Sequence, residues 1–315
     1  MLNAAVIGLG NMGRHHARAY LSLPGVCLIA ACDADKQCVD DVIGSKNVAY
    51  YPNVDDMLNN EALDLVSVCV PTSAHFSVAK ACLEHGVSVL VEKPIAQTVD
   101  QANQLIACAA THDLVLTVGH IERFNPAILK AKGLIVSGKL GEVHTIQSKR
   151  YGPFPKQIKD ADVLVDVAVH DIDIVQFLVA APLSNTQVMT RHIHSKNRAD
   201  YGHLILQFEN GLTANIHVSW ALPYKQRVVE IIGDKGIAIV DCMAQSIVYY
   251  NVDIKKSQDG IYLPSSEPEI IDIEKKEPII EECRAFVDAV LNKTPPFICP
   301  KDATQALALA LGAPH

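Results

Sequence analysis

Three glycines, Gly8, Gly10 and Gly13, stand in the stretch AAVIGLGNMGRHHARAY at residues 4–20, after an apolar run and before a helix-like one. Between a strand and a helix, the pattern G-x-G-x-x-G gives each glycine a use. The first turns the chain tightly, the second lets a pyrophosphate approach the backbone, and the third lets helix and strand pack closely. Asn11 and Met12 complete the loop. It opens onto a helix N-terminus, whose free N–H groups and positive dipole end favour phosphate. Asp33 follows the run VCLIAAC, 20 residues after Gly13. A carboxylate there accepts hydrogen bonds from the adenosine ribose hydroxyls and repels a 2′-phosphate, so NAD is expected rather than NADP.

A second group suits acid–base chemistry. The stretch VLVDVAVHDIDIVQFLVA is apolar apart from Asp166, His170, Asp171, Asp173 and Gln176. Asp166 and His170 are four residues apart and share a helix face, and His170 and Asp173 are also neighbours. A mostly apolar helix does not bury carboxylates and an imidazole without partners, and a histidine titrating near neutrality suits proton transfer. Lys93 follows SVLVE, at the carboxyl end of a strand, where ligands sit in open α/β sheets. Pro94 biases it toward an extended backbone. Position alone favours reading Lys93 as a surface lysine at a strand end.

The elements that must hold these groups follow from the hydrophobic pattern. LNAAVIGLG, VCLIAACD, LDLVSVCVP, GVSVLVEKP and LVLTVGH are continuous apolar runs separated by helical stretches. Strands buried on both faces look like this, and the alternation predicts a doubly wound parallel sheet. After about residue 120 the rhythm changes. A helix is expected near 123–137, then the alternating strand EVHTIQSKRYG. Hairpins are expected around Glu209-Asn210-Gly211 and Asp234-Lys235-Gly236, with SIVYYNVD continuing the sheet. Helices at about 278–292 and 302–311 close the chain. The expectation is an α/β domain over 1–120 and an α+β domain with a largely antiparallel sheet over 121–315. Leu204, Leu206, Ile216 and Val218 alternate with residues that are also apolar or uncharged, so both faces of that sheet need cover.

Composition narrows the class. A net charge of −8 argues against a nucleic-acid partner. No stretch reaches the roughly 18–20 apolar residues of a membrane helix, and the chain enters its first strand without a basic leader. The nine cysteines are odd in number, form no CxxC pair and mostly sit in apolar runs. They read as small buried hydrophobes in a reducing, cytoplasmic setting. His192 and His194 would put two imidazoles on one strand face, but no third ligand is evident and no metal is expected. His15 and His16 read as packing and helix surface.

At this point the chain resembles the glucose–fructose oxidoreductase, inositol dehydrogenase and MocA family over nearly its whole length. The resemblance rests on VIGLGNMGRHHARAY, LVSVCVPTSAHFSVAKACLEHGVSVLVEKPIAQT, VGHIERFNPA, DVLVDVAVHDIDI and EECRAFVDAVLNKTPPF. VGHIERFNPA with YGPFPKQIKDADVLVDVAVHDIDI looks most like the UDP-N-acetylglucosamine 3-dehydrogenase branch. The resemblance implies a Rossmann domain for NAD, then a domain for substrate binding and homo-oligomer formation as dimers or tetramers. It carries an active-site role to Lys93 and a cofactor-side contact to Glu92. Pro71, Thr72 and His75 match the family's cofactor-side turn, with His75 near the nicotinamide ribose. The family's Asp-x-Gly-x-His-x-x-Asp, whose Asp and His are catalytic, reads here Asp166-Val-Ala168-Val-His170-Asp-Ile-Asp173, with Ala168 in place of glycine. Arg123 would contact cofactor or diphosphate, or else pair with Glu122. Lys149, Arg150 and Tyr151 would be sugar or phosphate contacts, or else a solvated strand end.

The implied reaction is oxidation of a sugar hydroxyl, most closely C3 of a nucleotide sugar such as UDP-N-acetylglucosamine. His170 is the base, Lys93 steadies the oxygen and Asp166 orients the pair; the alternative makes Lys93 the base. A free-sugar or cyclitol dehydrogenase and a non-catalytic NAD-binding sensor are the rivals.

Overall fold

The computed structural model describes residues 1–44, 46–155, 161–252, 254–256, 262–264 and 267–312. Part of the motif YGPFPKQIKDADV, at 156–160, lies outside the described residues. The chain separates into two compact units, Met1–Ile121 with Glu277–Ala308, and Glu122–Lys276 with the residues from Leu309 on.

The first unit alternates strand and helix: β1 (Leu2–Ile7), α1 (Gly13–Ser22), β2 (Val26–Cys32), α2 (Lys36–Ile43), β3 (Ala49–Tyr51), α3 (Val54–Asn60), β4 (Leu65–Val68), α4 (Thr72–Glu84), β5 (Ser88–Glu92), α5 (Val99–Thr111) and β6 (Leu116–Gly119). The strands order β3-β2-β1-β4-β5-β6, all parallel. The order reverses direction between β1 and β4, the switch point at which open α/β sheets bind ligands. Every residue of β4 and β5 is buried, the burial that their unbroken apolar runs require. Helix starts are written locally. Asp35, Asn53 and Thr98 each accept a backbone N–H of the first turn of α2, α3 and α5, satisfying donors the helix itself leaves open.

The second unit begins with a 3₁₀ turn at Ile121–Phe124 leading to α6 (Pro126–Val136), capped by Asn125. Then come β7 (Val143–Pro153), a π-helical turn at Leu164–Ala168 running into α7 (Val169–Val179), and a run of strands. These are β8 (Leu183–Arg191), β9 (Tyr201–Phe208), β10 (Thr213–Ser219), β11 (Ala221–Gly233), β12 (Gly236–Asp241), β13 (Ser246–Asn251), β14 (Ile254–Lys256), β15 (Tyr262–Pro264) and β16 (Glu269–Ile271). The main sheet orders β16-β13-β12-β11-β7-β10-β9-β8. Its pairs are antiparallel except β7 with β10. Both expected hairpins form, β9–β10 and β11–β12. Leu204, Leu206, Ile216 and Val218 are fully buried on the face that α6 and α7 pack against. His203, Ile205, Asn215 and His217 alternate with them on the other face and are half-buried.

His192 and His194 do not lie on a strand: β8 ends at Arg191. The Asp200 carboxylate accepts the backbone N–H groups of Ile193, His194 and Ser195 at 2.6, 2.5 and 2.9 Å and bends the chain there. Burial pushes that carboxyl up, but the three N–H groups outweigh it and hold it below the usual range.

The chain then leaves the second unit. Helix α8 (Pro278–Asn292) returns to the first, where Ile279, Cys283, Phe286 and Val287 join a core with Ala17 and Tyr20 of α1 and Ala4 and Val6 of β1. The expected division left 277–308 in the second domain. The apolar stripe of α8 takes it back, since α1 offers the matching face. Helix α9 (Pro300–Ala310) is the last element. No described helix is long and apolar enough to cross a membrane.

Candidate active site

The glycine loop carries out the three tasks its spacing implies. Gly8 has φ +85°, and a Cβ there would sit 2.8 Å from the Cys69 carbonyl, so only glycine turns the chain without a clash. A Cβ on Gly13 would fall 1.7 Å from the Gly8 oxygen, so α1 seats directly on the loop. A Cβ on Gly10 would meet nothing within 4 Å. The space next to Gly10 is open, as an approaching pyrophosphate needs. The start of α1 has no side-chain cap, and the positive end of its dipole suits an anion there. Asn11 is exposed and Met12 packs against the core. Asp33, half-buried, has one carboxylate oxygen 2.6 Å from the Leu9 N–H and the other 2.9 Å from that of Asp35. The acid is thus tied to the glycine loop itself. These residues fit a dinucleotide.

Asp33 sets the first expected result. The unaltered protein binds NADH more tightly than NADPH, and Asp33→Ala narrows the difference. The variant also weakens NADH, because Leu9 loses its anchor. Fluorescence titration with both cofactors checks this; equal or tighter NADPH binding by the unaltered protein would overturn it.

The loops after β4 and β5 hold the next group. Pro71 sits at the N-cap of α4, followed by half-buried Thr72. His75 is 1% exposed, its Nδ1 2.7 Å from the Pro94 carbonyl and its Nε2 2.9 Å from that of Val70. Burial lowers its affinity for a proton despite those two carbonyls. Glu92 is buried at the end of β5. Burial would raise its carboxyl, but the hydrogen bond from His16, with the charge of Lys93 beside it, holds it below the usual range. Lys93 follows, half-buried.

In the second unit, Asp166 lies within the π turn and His170 is the second residue of α7; both are half-buried. The turn is started by Asp162, whose Oδ1 accepts the N–H groups of Leu164 and Val165 at 2.9 and 3.1 Å. Gly202 of β9 makes room for it, since a Cβ there would meet Leu164 Cδ2 at 2.5 Å. A π turn inside a helix re-aims side chains and recurs at functional sites.

The two carboxylates that follow His170 have the partners their burial demands. Asp173 takes Nε and Nη2 of Arg123, the latter at 2.7 Å. Asp171 takes Arg150 Nε at 2.5 Å and the Ser148 hydroxyl at 2.5 Å. Arg150 Nη1 also reaches Glu122 at 2.9 Å, and Arg227 reaches the same oxygen at 3.3 Å. Arg123 and Arg150 are 3% and 5% exposed. Their guanidinium groups face carboxylates of their own unit. Arg123 thus pairs with Asp173, 50 residues away along the chain. Tyr151 is half-buried, and burial pushes its hydroxyl up. Lys149 pairs with Glu230 at 3.1 Å.

The residue that sequence reasoning passed over is His16. It is fully buried and hydrogen-bonded to both Ser67 and Glu92, where packing alone was expected. Its local signal is slight: one imidazole on the inward face of the helix that follows the glycine loop.

Comparison with known proteins agrees with this architecture. Residues 2–120 match the oxidoreductase family with an NAD-binding Rossmann fold, and residues 128–239 match the GFO/IDH/MocA C-terminal domain. A UDP-N-acetylglucosamine 3-dehydrogenase of Acidithiobacillus ferrooxidans is 29% identical over 98% of this chain and 95% of its own. The solved structure of that enzyme superimposes with a TM-score of 0.88 at 27% identity, covering 99% of this chain and 96% of that one. The scyllo-inositol 2-dehydrogenase (NAD(+)) of Bacillus subtilis is 24% identical over 99% of this chain and 93% of its own. GenD2 from gentamicin A biosynthesis, solved in complex with NAD, has a TM-score of 0.83 at 25% identity, covering 99% of this chain and 93% of that one. With the glycine loop, the acid after β2 and both domains matched in order, the chain belongs to the GFO/IDH/MocA family of NAD-binding oxidoreductases of the sugar and cyclitol type.

Proposed function

We propose that the protein oxidises the C3 hydroxyl of UDP-N-acetylglucosamine, or of a close nucleotide sugar, to a ketone. The observation that carries this reading is the end-to-end match to an enzyme of that name, 98% of this chain against 95% of the other. Lys93, Asp166 and His170 stand in stretches that resemble the family's motifs, with Ala168 in place of a glycine. NAD, when bound, supplies the hydride acceptor. The residues of this chain do the rest. Gly8, Gly10, Gly13 and the start of α1 hold the diphosphate, and Asp33 the adenosine ribose. His170 takes the hydroxyl proton, Lys93 donates a hydrogen bond to the oxygen as it becomes a carbonyl, and Asp166 orients the imidazole. Arg123 and Arg150 serve this chemistry by fixing the helix that bears His170, through Asp173 and Asp171.

A second reading, oxidation of a free sugar or cyclitol, is favoured by the match to the Bacillus subtilis scyllo-inositol enzyme. A turnover assay with NAD and a panel of nucleotide sugars, free sugars and inositols separates the two. Turnover of UDP-N-acetylglucosamine well above that of inositols is expected; the reverse order would establish the second reading, and no turnover at all would leave a cofactor-binding sensor.

Assembly and location belong to the same proposal. The face of the second unit's sheet that bears Ile205, Asn215 and His217 is the one α6 and α7 leave uncovered. A second copy covering it would give a homodimer or homotetramer. Light scattering at micromolar concentration should report two or four chains, and the mass of one chain would rule this out. All nine cysteines are free thiols, the state a reducing cytoplasm maintains.

A further inference from the structure

Two buried histidines flank the backbone of Lys93 in the first unit. His75 holds the Pro94 carbonyl on one side. On the other, His16 Nε2 lies 3.0 Å from Glu92 Oε1, and Glu92 Oε2 accepts the Lys93 backbone N–H at 3.2 Å. His16 Nδ1 lies 3.0 Å from Ser67 Oγ, which lies 2.6 Å from the Tyr20 hydroxyl. One assignment of protons satisfies the whole chain. Tyr20 donates to Ser67, Ser67 donates to Nδ1 of a neutral His16, Nε2–H donates to Glu92, and the second oxygen of Glu92 receives the Lys93 N–H.

The seat of the carboxylate is shaped for it. Gly119 stands opposite Glu92 in the β5–β6 register, and a Cβ there would lie 3.0 Å from Glu92 Cδ. Helix α8 closes the pocket with Cys283, its sulfur 3.6 Å from His16 Nδ1, and with buried Glu282. One ligand atom each of His16, Glu92 and Glu282 lie within 4.8 Å of one another.

We propose that His16 is a positioning residue for Lys93: by donating to Glu92 it keeps that carboxylate seated beneath the Glu92-Lys93-Pro94 turn and fixes where the lysine presents its amine. This rests on the reading of Lys93 as an active-site residue. Burial alone pushes the Glu92 carboxyl up, and His16 is the first of the groups that offset it. Without His16 the carboxylate takes a proton or swings from its seat, and the lysine loses an anionic neighbour.

Three full-length variants test this. His16→Leu removes the donor, and His16→Gln keeps an N–H at the same reach. Gly119→Ala leaves every side chain of the network in place and crowds the carboxylate. The readout that needs no substrate is the rate at which acetic anhydride labels Lys93 relative to exposed Lys301, measured on peptides by mass spectrometry. The ratio is expected to rise severalfold in His16→Leu and Gly119→Ala and to return toward the unaltered value in His16→Gln. With a sugar that the unaltered protein oxidises, His16→Leu should lose ~10²-fold in kcat, the loss a misplacement of ~1 Å brings, with NADH affinity and sugar KM little changed. An unmoved labelling ratio in folded, NADH-binding His16→Leu would reduce His16 to core packing and overturn the proposal. Should His16→Leu fail to fold, an unmoved ratio in Gly119→Ala overturns it alone. If the unaltered protein oxidises no sugar, the proposed function fails while the labelling ratio still decides the role of His16.

Discussion

His170→Ala is expected to slow turnover by ~10²–10⁴-fold, the range a general base supplies, with NAD affinity unchanged. The groups that fit NAD, from Gly8 to Asp33, belong to the first unit, and His170 to the second. On the proposed reading, truncating the imidazole removes the proton acceptor and leaves the residues that fit NAD unaltered. Asp166, four residues earlier on a half-buried π turn, keeps its place because Asp162 and Gly202 set that turn. Lys93→Ala should lower kcat and weaken the binding of the sugar as well. Steady-state kinetics on both variants, with NADH titration as the control, distinguish the roles. Near-normal turnover in His170→Ala with loss in Lys93→Ala would make Lys93 the base. Activity retained in both would place the chemistry on other residues.

Arg150→Leu should destabilise the protein by ~3–5 kcal/mol, the cost of removing one partner from a buried ion pair. That is a large part of the ~5–15 kcal/mol that holds a domain folded. Arg150 serves two carboxylates at once, Asp171 and Glu122, and among the described residues the Ser148 hydroxyl is what stays on Asp171 when the arginine is gone. Burial raises the carboxyl of Glu122, but the charge and hydrogen bond of Arg150, then Arg227 and Asn125, hold it below its usual range. A carboxyl whose folded pKa is depressed contributes stability above its unfolded pKa and loses it as pH falls. In the variant the burial of Glu122 is far less opposed and the sign turns: its carboxylate costs stability at neutral pH and less on acidification. Chemical denaturation of both proteins at pH 7 and pH 5 should therefore show the gap narrowing at the lower pH. A variant within ~1 kcal/mol of the unaltered protein, the level of an exposed pair, would contradict the assignment.

How much of this was legible in the sequence depends on the reach of each signal. β4 and β5 are buried over their whole length, and their unbroken apolar runs announce it. The glycine loop and Asp33 were legible because strand, turn, helix and acid fall within one short span. The need of Asp171 and Asp173 for partners was legible from an apolar helix, but the identity of the partners was not. Arg150 and Arg123 lie 21 and 50 residues away and are joined to them only by the fold. His16 was opaque for the same reason, since Glu92 is 76 residues distant. The π turn left no trace, because Asp166 and His170 at a spacing of four read as an ordinary helix face. His192 and His194 were misplaced because β-alternation ignores what a downstream Asp200 does to the backbone.

The return of α8 bears on how the protein is made. A ribosome completes residues 1–121 long before it reaches Glu277, and until then the inward side of α1, with Ala17 and Tyr20, has no helix to lie against. The nucleotide-binding half therefore cannot finish folding in the order of synthesis. The Glu122–Lys276 segment emerges whole while its predecessor waits with apolar surface uncovered. A chain stopped at residue 121 would carry the glycine loop and Asp33 but lack the helix that completes the core of that unit.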